Sequence, residues 1–242
     1  MARKRQKVDI YDGRSPLSIP LYSFPEAARY IGMPLSTLRA WAFGQRFPRA
    51  SGDGFFEPLI KLDYEPREPK HLSFTNLIEA QVLAAMRRTH GVSMNKVRKS
   101  LDYLYEHFKM DHPLASHRFE TDGVDLFISE LGALVSVSNS GQTAIRELIK
   151  MHLERIERDN DNVAIRLYPF IRSVPRSDEP KVIVIDPRVS FGRPVLVGTG
   201  IPVETVVGRF HAGESLDELA DDYSCETKLL EEAIRCALPK AA

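Results

Sequence analysis

Three side chains, Ser36, Thr37 and Arg39, could read duplex DNA if a single helix presents them together. An arginine can donate two hydrogen bonds to O6 and N7 of guanine, and serine or threonine hydroxyls can contact bases or phosphates. Gln45 and Arg46 follow shortly after and extend the polar stretch. These residue types at this spacing favour recognition of base edges in a major groove.

Other basic residues could hold the phosphates of the same duplex. Four lie in a polar N-terminal arm: Arg3, Lys4, Arg5 and Lys7. Three follow Gly52 and Gly54: Lys61, Arg67 and Lys70. Phosphate contacts position a protein on DNA and make its affinity depend on salt, but they carry no sequence information. We therefore expect specificity from the first group and general affinity from the second.

A pair of short helices must position the base-reading residues. Ser23 and Glu26 have the spacing of a capping box, which predicts a helix start. Gly32 permits the left-handed turn that ends this helix, and Pro34 suits the first turn of the next. The apolar residues that would point inward at helical spacing are Leu35, Leu38 and Trp41. A plain helical hairpin inside a core is the alternative to a helix-turn-helix.

A hairpin is predicted directly after the helix pair. Gly52 and Gly54 favour a turn, and the segments 54–58 and 59–64 look like short strands, the arrangement of a wing. With the motifs S-x-x-E-A-A-R-x-x-G at 23–32 and S-T-L-R-A-W at 36–41, residues 20–108 resemble the MerR-like winged-helix family. The family's long dimerisation helix and effector pocket are not evident in the sequence.

Charge divides the chain into two unlike halves. Residues 1–110 hold 18 basic and 11 acidic residues, whereas residues 111–242 hold 15 basic and 22 acidic residues. The basic half suits a polyanion, and the acidic half suits a protein surface. Chance scatter of charge over solvated faces is the alternative.

The middle of the chain is predicted to mix helices and strands. Helices are expected at 74–91 and 94–108, and a further amphipathic helix at 143–159. Residues 117–130 look like a strand, a turn and a strand, and 133–138 and 163–171 like two more strands. The predicted fold class is α+β and mainly helical. The predicted units are an arm at 1–20, a winged helix-turn-helix at 21–110, a middle module at 111–173, a linker at 174–180 and a C-terminal domain at 181–242.

The C-terminal unit carries the most specific motif in the chain. It reads I-D-P-x-V-x-F-G-R-P-V-L-V-G-T-G-I-P-V at 185–203, and three helices follow, the second opened by a capping box of Ser215 and Glu218. The glycine spacing does not match a phosphate-binding loop. This pattern resembles the small C-terminal domain of VapB-like antitoxins, whose partners are PIN-like nucleases.

The resemblance implies a toxin-binding surface on this domain. The candidate contact residues are Phe191, Arg193, Pro194, Ile201, Pro202, Phe210, Glu214, Asp217 and Glu218. Gly200 stands where the family usually has an arginine, so Arg193 or Arg209 would have to replace that arginine in partner contact. For each apolar residue in this set, ordinary core packing is the alternative.

No catalytic or metal-binding pattern stands out. The seven histidines form no H-E-x-x-H pattern, and there is no G-x-S-x-G elbow, so we expect no enzyme, no metal and no cofactor. Cys225 and Cys236 do not have zinc-site spacing and favour two reduced thiols. No window is apolar enough for a membrane span, and the N-terminus lacks a signal sequence, which together favour a cytoplasmic protein.

The whole layout resembles the larger VapB-type antitoxins. The resemblance implies a homodimer whose head represses its own operon by binding palindromic operator DNA, and whose tail neutralises a PIN-like ribonuclease toxin. A free-standing MerR-like transcription regulator with an oligomerisation tail is the alternative. A third class, a nucleic-acid hydrolase acting alone, has no motif to support it.

Overall fold

The structure is a computed structural model, and it describes residues 13–49, 52–63, 71–88, 93–134, 139–169 and 177–237. Within these ranges the fold is α+β and mainly helical, as predicted, with three small antiparallel two-stranded sheets. The N-terminal arm up to residue 12, including Arg3, Lys4, Arg5 and Lys7, lies outside the described residues.

The predicted helix pair is present. Helix α1 spans Phe24–Tyr30 and begins at the expected capping box, in which Ser23 and Glu26 bond to each other's backbone N–H. The backbone then turns at Gly32, whose φ of +63° is left-handed. Helix α2 spans Leu35–Phe43, and its apolar stripe packs on α1.

A hairpin follows α2 directly, but its strands differ from those predicted. Strand β1 spans Gln45–Arg49 and pairs with β2, Gly52–Phe56. The rings of Phe47 and Phe56 stack across the pair with centroids 4.0 Å apart. This cross-strand aromatic pair sets the register, so the two glycines lie within a strand and do not bracket the turn.

The second predicted strand, at 59–64, is wrong over its described part. The amides of Leu59 and Ile60 donate to the carbonyl of Trp41 at 2.7 and 3.1 Å, so this segment caps the end of α2 and does not pair with the hairpin. Lys61 therefore lies outside the wing on which it was predicted. Arg67 and Lys70 lie outside the described residues.

Two long helices follow, as predicted: α3, Phe74–Arg87, and α4, Met94–Phe108. Helix α3 is buried from Phe74 to Met86 except at Thr75, and its buried set includes the polar side chains of Asn76, Glu79 and Gln81. A helix buried on nearly every side must lie in the middle of a core.

The strand, turn and strand predicted for 117–130 are wrong. A single π-helical turn at Phe119–Gly123 leads into helix α5, Val124–Leu134. The buried residues Val124, Phe127, Ile128 and Leu131 follow helical spacing, which outweighs the short alternation of polar and apolar residues at its start. The strand predicted at 133–138 is also wrong where it is described, because residues 133–134 finish α5. Helix α6 spans Asn139–Leu153.

A chain of short strands connects the middle of the molecule to its C-terminal part. Strands β3, Ile156–Arg158, and β4, Ala164–Leu167, form one pair, and β5, Ile183–Val184, and β6, Val195–Leu196, form another. Leu167 and Ile185 exchange backbone hydrogen bonds of 3.0 and 2.8 Å, so the two pairs are linked.

The guanidinium of Arg155 holds the end of the predicted linker. It donates to the carbonyls of Glu179 and Pro180, and also to those of Tyr168 and Pro169. Helices α7, Val203–His211, α8, Leu216–Tyr223, and α9, Thr227–Ala237, complete the described chain.

Two hydrophobic clusters result. The first runs from Tyr22 to Ile185 and joins α1 to α6 with the hairpin's base and β3–β4. The second, in the C-terminal part, contains Leu196, Val206, Leu219, Leu230 and Ile234, among others. The predicted unit boundaries remain predictions, although the helix pair and the middle helices share one cluster.

A buried polar network fastens the first cluster near residue 112. The two ring nitrogens of His112 lie 2.9 Å from Glu79 and 2.9 Å from Asp63, whose other oxygen accepts from Ser73. Burial lowers the pKa of His112, but the hydrogen bonds to the two carboxylates outweigh it and raise this pKa from 6.5 to about 10. His112 is therefore cationic at neutral pH and ties residues 63 and 112 to α3.

We predict that His112→Gln removes a pH-dependent part of the stability. Because the folded pKa is raised, the stabilisation is complete below pH 6.5 and is lost as pH rises towards 10. Burial raises the pKa of Glu79 to about 7, so in the variant this carboxyl can take up a proton and need not remain an unpaired anion. The variant should cost about 1–3 kcal/mol at neutral pH, the scale of a buried polar group that has lost its hydrogen-bond partner, and less at high pH. Urea unfolding across this pH range measures the effect. The exposed His107→Gln serves as control, and parallel pH profiles of all three proteins would contradict the prediction.

Candidate nucleic-acid and partner interfaces

Helix α2 presents one polar face and buries the other. Leu38 and Trp41 point into the core, whereas Ser36 and Arg39 are exposed. Thr37, the third α2 residue predicted to contact DNA, is half-buried, and its hydroxyl accepts a 2.8 Å hydrogen bond from Nη1 of Arg87. The structure thus exposes Ser36 and Arg39 on the outer side of α2, whereas Thr37 faces the end of α3.

Arg88, which no sequence motif identifies as a site residue, fixes the turn between α1 and α2. Its Nη2 lies 3.4 Å from the carbonyl oxygen of Ile31 and 3.3 Å from that of Gly32, and its Nη1 lies 3.0 Å from Nε2 of His152 on α6. Burial lowers the pKa of His152 to about 4, so the ring is neutral, with Nδ1 donating to Leu148 and Nε2 accepting from Arg88. Helix α6 is therefore linked through Arg88 to the turn of the helix pair.

The hairpin adds a second polar edge beside α2. Gln45 and Arg46 are both exposed on β1, so the two residues predicted just beyond α2 belong to the wing. Arg98 of α4 fixes the base of the hairpin by donating to the carbonyls of Glu57 and Pro58.

Lys61 is separate from this group. Its ammonium pairs with Asp111 at 2.7 Å, and both side chains are largely exposed. Exposed ion pairs contribute little to stability, so this lysine can exchange partners at small cost.

The second predicted surface contains a strained turn. Phe191 is 70% exposed, and its backbone has a φ of 55°. Ser190, with a φ of 48°, and Gly192, with a φ of 75°, flank it, so three consecutive residues are left-handed. Left-handed backbone costs a non-glycine residue about 1–2 kcal/mol, and such strain clusters at functional sites. An exposed aromatic ring on a strained turn is a candidate binding anchor.

Neighbouring groups hold this turn in shape. The Ser190 hydroxyl donates to the carbonyl of Gly200 at 3.1 Å, and Nη1 of Arg193 donates to Glu204 at 2.9 Å. Gly192 packs on Tyr22, next to the first helix, so closely that a Cβ added there would lie 2.5 Å from the tyrosine oxygen. The turn therefore rests on the first residues of the helix-turn-helix unit.

The other predicted contact residues differ in what they could offer a partner. Phe210 is 36% exposed. Asp217 is exposed, and Pro194, Ile201 and Pro202 are half-buried. These residues lie on the same C-terminal unit as Phe191.

Several charged residues of this surface are already engaged within the chain. Glu214 and Asp222 both accept hydrogen bonds from Arg209, whose guanidinium also lies over the ring of Tyr223. The Glu218 carboxylate accepts a hydrogen bond from the backbone N–H of Ser215, the N-cap residue of the helix that follows. Arg209 is thus held by two carboxylates, whereas Arg193 pairs with Glu204 and keeps about half of its side chain exposed.

The aspartate of the I-D-P motif has a structural role that sequence reasoning missed. Asp186 is buried and accepts from Arg166 at 3.1 Å and from Arg188 at 3.0 Å. Burial raises the pKa of Asp186, but the hydrogen bonds from Arg188 and Arg166 outweigh it and lower the pKa overall. The anion therefore holds the β4 arginine and the start of the strained segment together.

Other kinds of site find no support in the described part of the chain. There, no three His, Cys, Asp or Glu side chains are arranged to hold a metal ion. None of the helices described is both long and apolar enough to cross a membrane. Cys225 carries a free thiol, and the side chain of Cys236 lies outside the described residues.

The N-terminal and the C-terminal parts of the chain each match a known protein family. Residues 20–101 match the model "Putative DNA-binding HTH domain", and residues 183–237 match "Protein of unknown function (DUF433)". The curated "Putative antitoxin VapB45" of Mycobacterium tuberculosis is 34% identical over 231 residues, which cover 89% of this chain and 93% of that protein.

Two further Mycobacterium tuberculosis proteins are similar over most of their length. "Uncharacterized protein Rv2308" is 26% identical over 91% of each chain. The X-ray crystal structure of Rv2018 superposes with a TM-score of 0.64 at 28% identity, and the match covers 90% of this chain and 98% of that one.

We predict that Gly192→Ala destabilises the chain more than Gly198→Ala. Both glycines have a positive φ, but a Cβ at Gly198 meets nothing within 4 Å. The control should show only the backbone strain of about 1–2 kcal/mol, whereas Gly192→Ala should add about 1–3 kcal/mol of overpacking against Tyr22. Chemical unfolding measures both, and Tyr22→Phe should recover part of the difference. Equal losses in the two alanine variants would contradict the Tyr22 contact.

Proposed function

Because this chain belongs to the VapB45 family of VapB-type antitoxins with a DNA-binding helix-turn-helix, we propose that it binds and neutralises a PIN-like ribonuclease toxin. We propose further that it represses its own operon by binding operator DNA as a homodimer. The observation that carries the DNA half is the polar outer face of α2, with Ser36 and Arg39 exposed above the buried Leu38 and Trp41.

In the proposed complex, α2 enters the major groove. Arg39 donates to a guanine edge, and Ser36 and Thr37 contact bases or the adjoining phosphates. Gln45 and Arg46 on the hairpin contact the backbone. The phosphate role of Lys61, Arg67 and Lys70 remains a proposal, with Lys61 acting from beside the hairpin. A second copy of the chain would place its own α2 in the next half-site, one or more helical turns away.

The partner half is carried by the exposed aromatic ring of Phe191. We assign it the role of an anchor in an apolar pocket of the toxin, with Phe210, Pro194, Ile201 and Pro202 of the same C-terminal domain as further contacts. Asp217 provides exposed rim charge, while Arg193, Glu214 and Glu218 shape the surface through their internal contacts. A nuclease that binds RNA needs a basic surface, so an acidic rim complements it.

Arg39→Ala should abolish most of the sequence preference in DNA binding. Loss of a bidentate guanine contact costs about 1–3 kcal/mol, so affinity for the duplex upstream of the gene should fall about fivefold or more. Affinity for random duplex should change far less. Fluorescence anisotropy with both duplexes measures this, and the exposed Arg235→Ala on α9 is the control. If Arg39→Ala keeps the wild-type preference, α2 is not the reading helix.

Phe191→Asp should weaken capture of the nuclease encoded next to the gene. Removing a central aromatic anchor costs 2 kcal/mol or more, so the Kd should rise about thirtyfold or more. Val163→Asp, a change at another exposed apolar residue, is the control. Copurification of the coexpressed pair and inhibition of RNA cleavage measure the effect.

Two outcomes would contradict the partner assignment. If Phe191→Asp binds and inhibits as well as Val163→Asp, the strained turn does not contact the nuclease. If the wild-type chain binds the duplex but captures no nuclease, it acts as a free-standing regulator.

A further inference from the structure

An open cavity of about 220 Å³ lies between α2, the base of the hairpin, and the ends of α3 and α4. Its polar lining comes from Thr37, Gln45, Arg87, Asn95 and Arg98. The sequence motifs do not identify Arg87, Asn95 or Arg98 as DNA contacts. The cavity thus lies between the two elements that the proposed function places on DNA.

Two arginines stand on different helices at this cavity. Arg87 ends α3 and donates to Thr37 at 2.8 Å. Arg98, one turn into α4, donates to the Glu57 and Pro58 carbonyls and lies 5.8 Å above the ring of Phe56. Each is therefore held in place by protein contacts before any ligand arrives, which reduces the entropy lost on binding.

The charge at the cavity favours an anion. Among the described residues that line it, none carries a carboxylate. The carboxylates of Asp102 and Glu57 act on Arg98 from nearby, but burial is the larger effect and lowers the pKa of its guanidinium. An arginine remains charged in proteins, so a partly desolvated guanidinium beside a second one gains from a bound anion.

We infer that this cavity binds one backbone phosphate of the DNA duplex between Arg87 and Arg98. The planar guanidinium matches phosphate oxygens in two-point geometry, and the Asn95 amide and the Thr37 hydroxyl can donate as well. Phosphates border the groove that α2 would occupy, so the site would set the depth and register of α2 without reading a base. This inference rests on the proposed DNA binding.

The test is a salt titration of the Arg87→Gln/Arg98→Gln double variant. Affinities for the upstream duplex and for a random duplex are measured by anisotropy over a KCl series. Losing one phosphate contact should reduce the slope of log K against log salt by about 0.9 and weaken binding to both duplexes by the same factor, about tenfold at low salt. Lys99→Gln, which removes an exposed charge on the same helix outside the cavity, is the control.

The single variants test whether a loss of binding in the double variant is caused by misfolding. Arg87→Gln leaves the hairpin contacts intact, and Arg98→Lys keeps the charge, so circular dichroism and these two titrations separate lost binding from a lost fold. Three results would overturn the inference that the two arginines share one phosphate. The first is a salt slope and an affinity equal to those of Lys99→Gln, and the second is a loss of affinity confined to one duplex. The third is a change in salt slope of about 1.8, which would indicate two separate phosphates. Failure of the wild-type chain to bind any duplex would instead overturn the proposed function together with this inference.

Discussion

The burial of helix α3 is the constraint on which the rest of the structure depends. Its side chains from Phe74 to Met86 are buried except at Thr75, because α6 and the 113–115 turn pack on it and the helix pair shares its hydrophobic cluster. A helix so enclosed cannot shift without disturbing both neighbours. Its last residue, Arg87, and the next, Arg88, leave the core beside α2 and hold Thr37 and the Gly32 turn. The position of the face that we propose to read DNA thus follows from the packing of α3.

The C-terminal surface is built on a different cluster of apolar residues but is not detached. The Leu167–Ile185 bridge, the Asp186 ion cluster and the contact of Gly192 with Tyr22 all join it to the first cluster. The strained turn that exposes Phe191 is stabilised by these contacts. Strain of this size persists only where surrounding structure determines the conformation, so the middle of the chain supports both candidate surfaces.

Local signals in the sequence predicted much of this architecture. The capping boxes at Ser23 and Ser215 and the left-handed Gly32 depend on neighbours within a few residues, and each gave the correct helix boundary. The segment 117–130 was mispredicted because its polar and apolar residues alternate briefly before helical spacing takes over. The hairpin register depends on one aromatic pair, and the roles of Arg88, His112 and Asp186 depend on residues distant in sequence. No periodicity or spacing encodes such long-range pairings.

Native-state hydrogen exchange on the full chain carrying Leu77→Ala tests the shared core most directly. Leu77 is fully buried in the first turn of α3, and truncating such a leucine costs about 2–5 kcal/mol. We expect amide protection to fall together in α1, α2, α3 and α6, while α7–α9 keep most of theirs. If α6 keeps its protection while α1 and α2 lose theirs, the helix-turn-helix does not depend on the middle helices, and the account is contradicted.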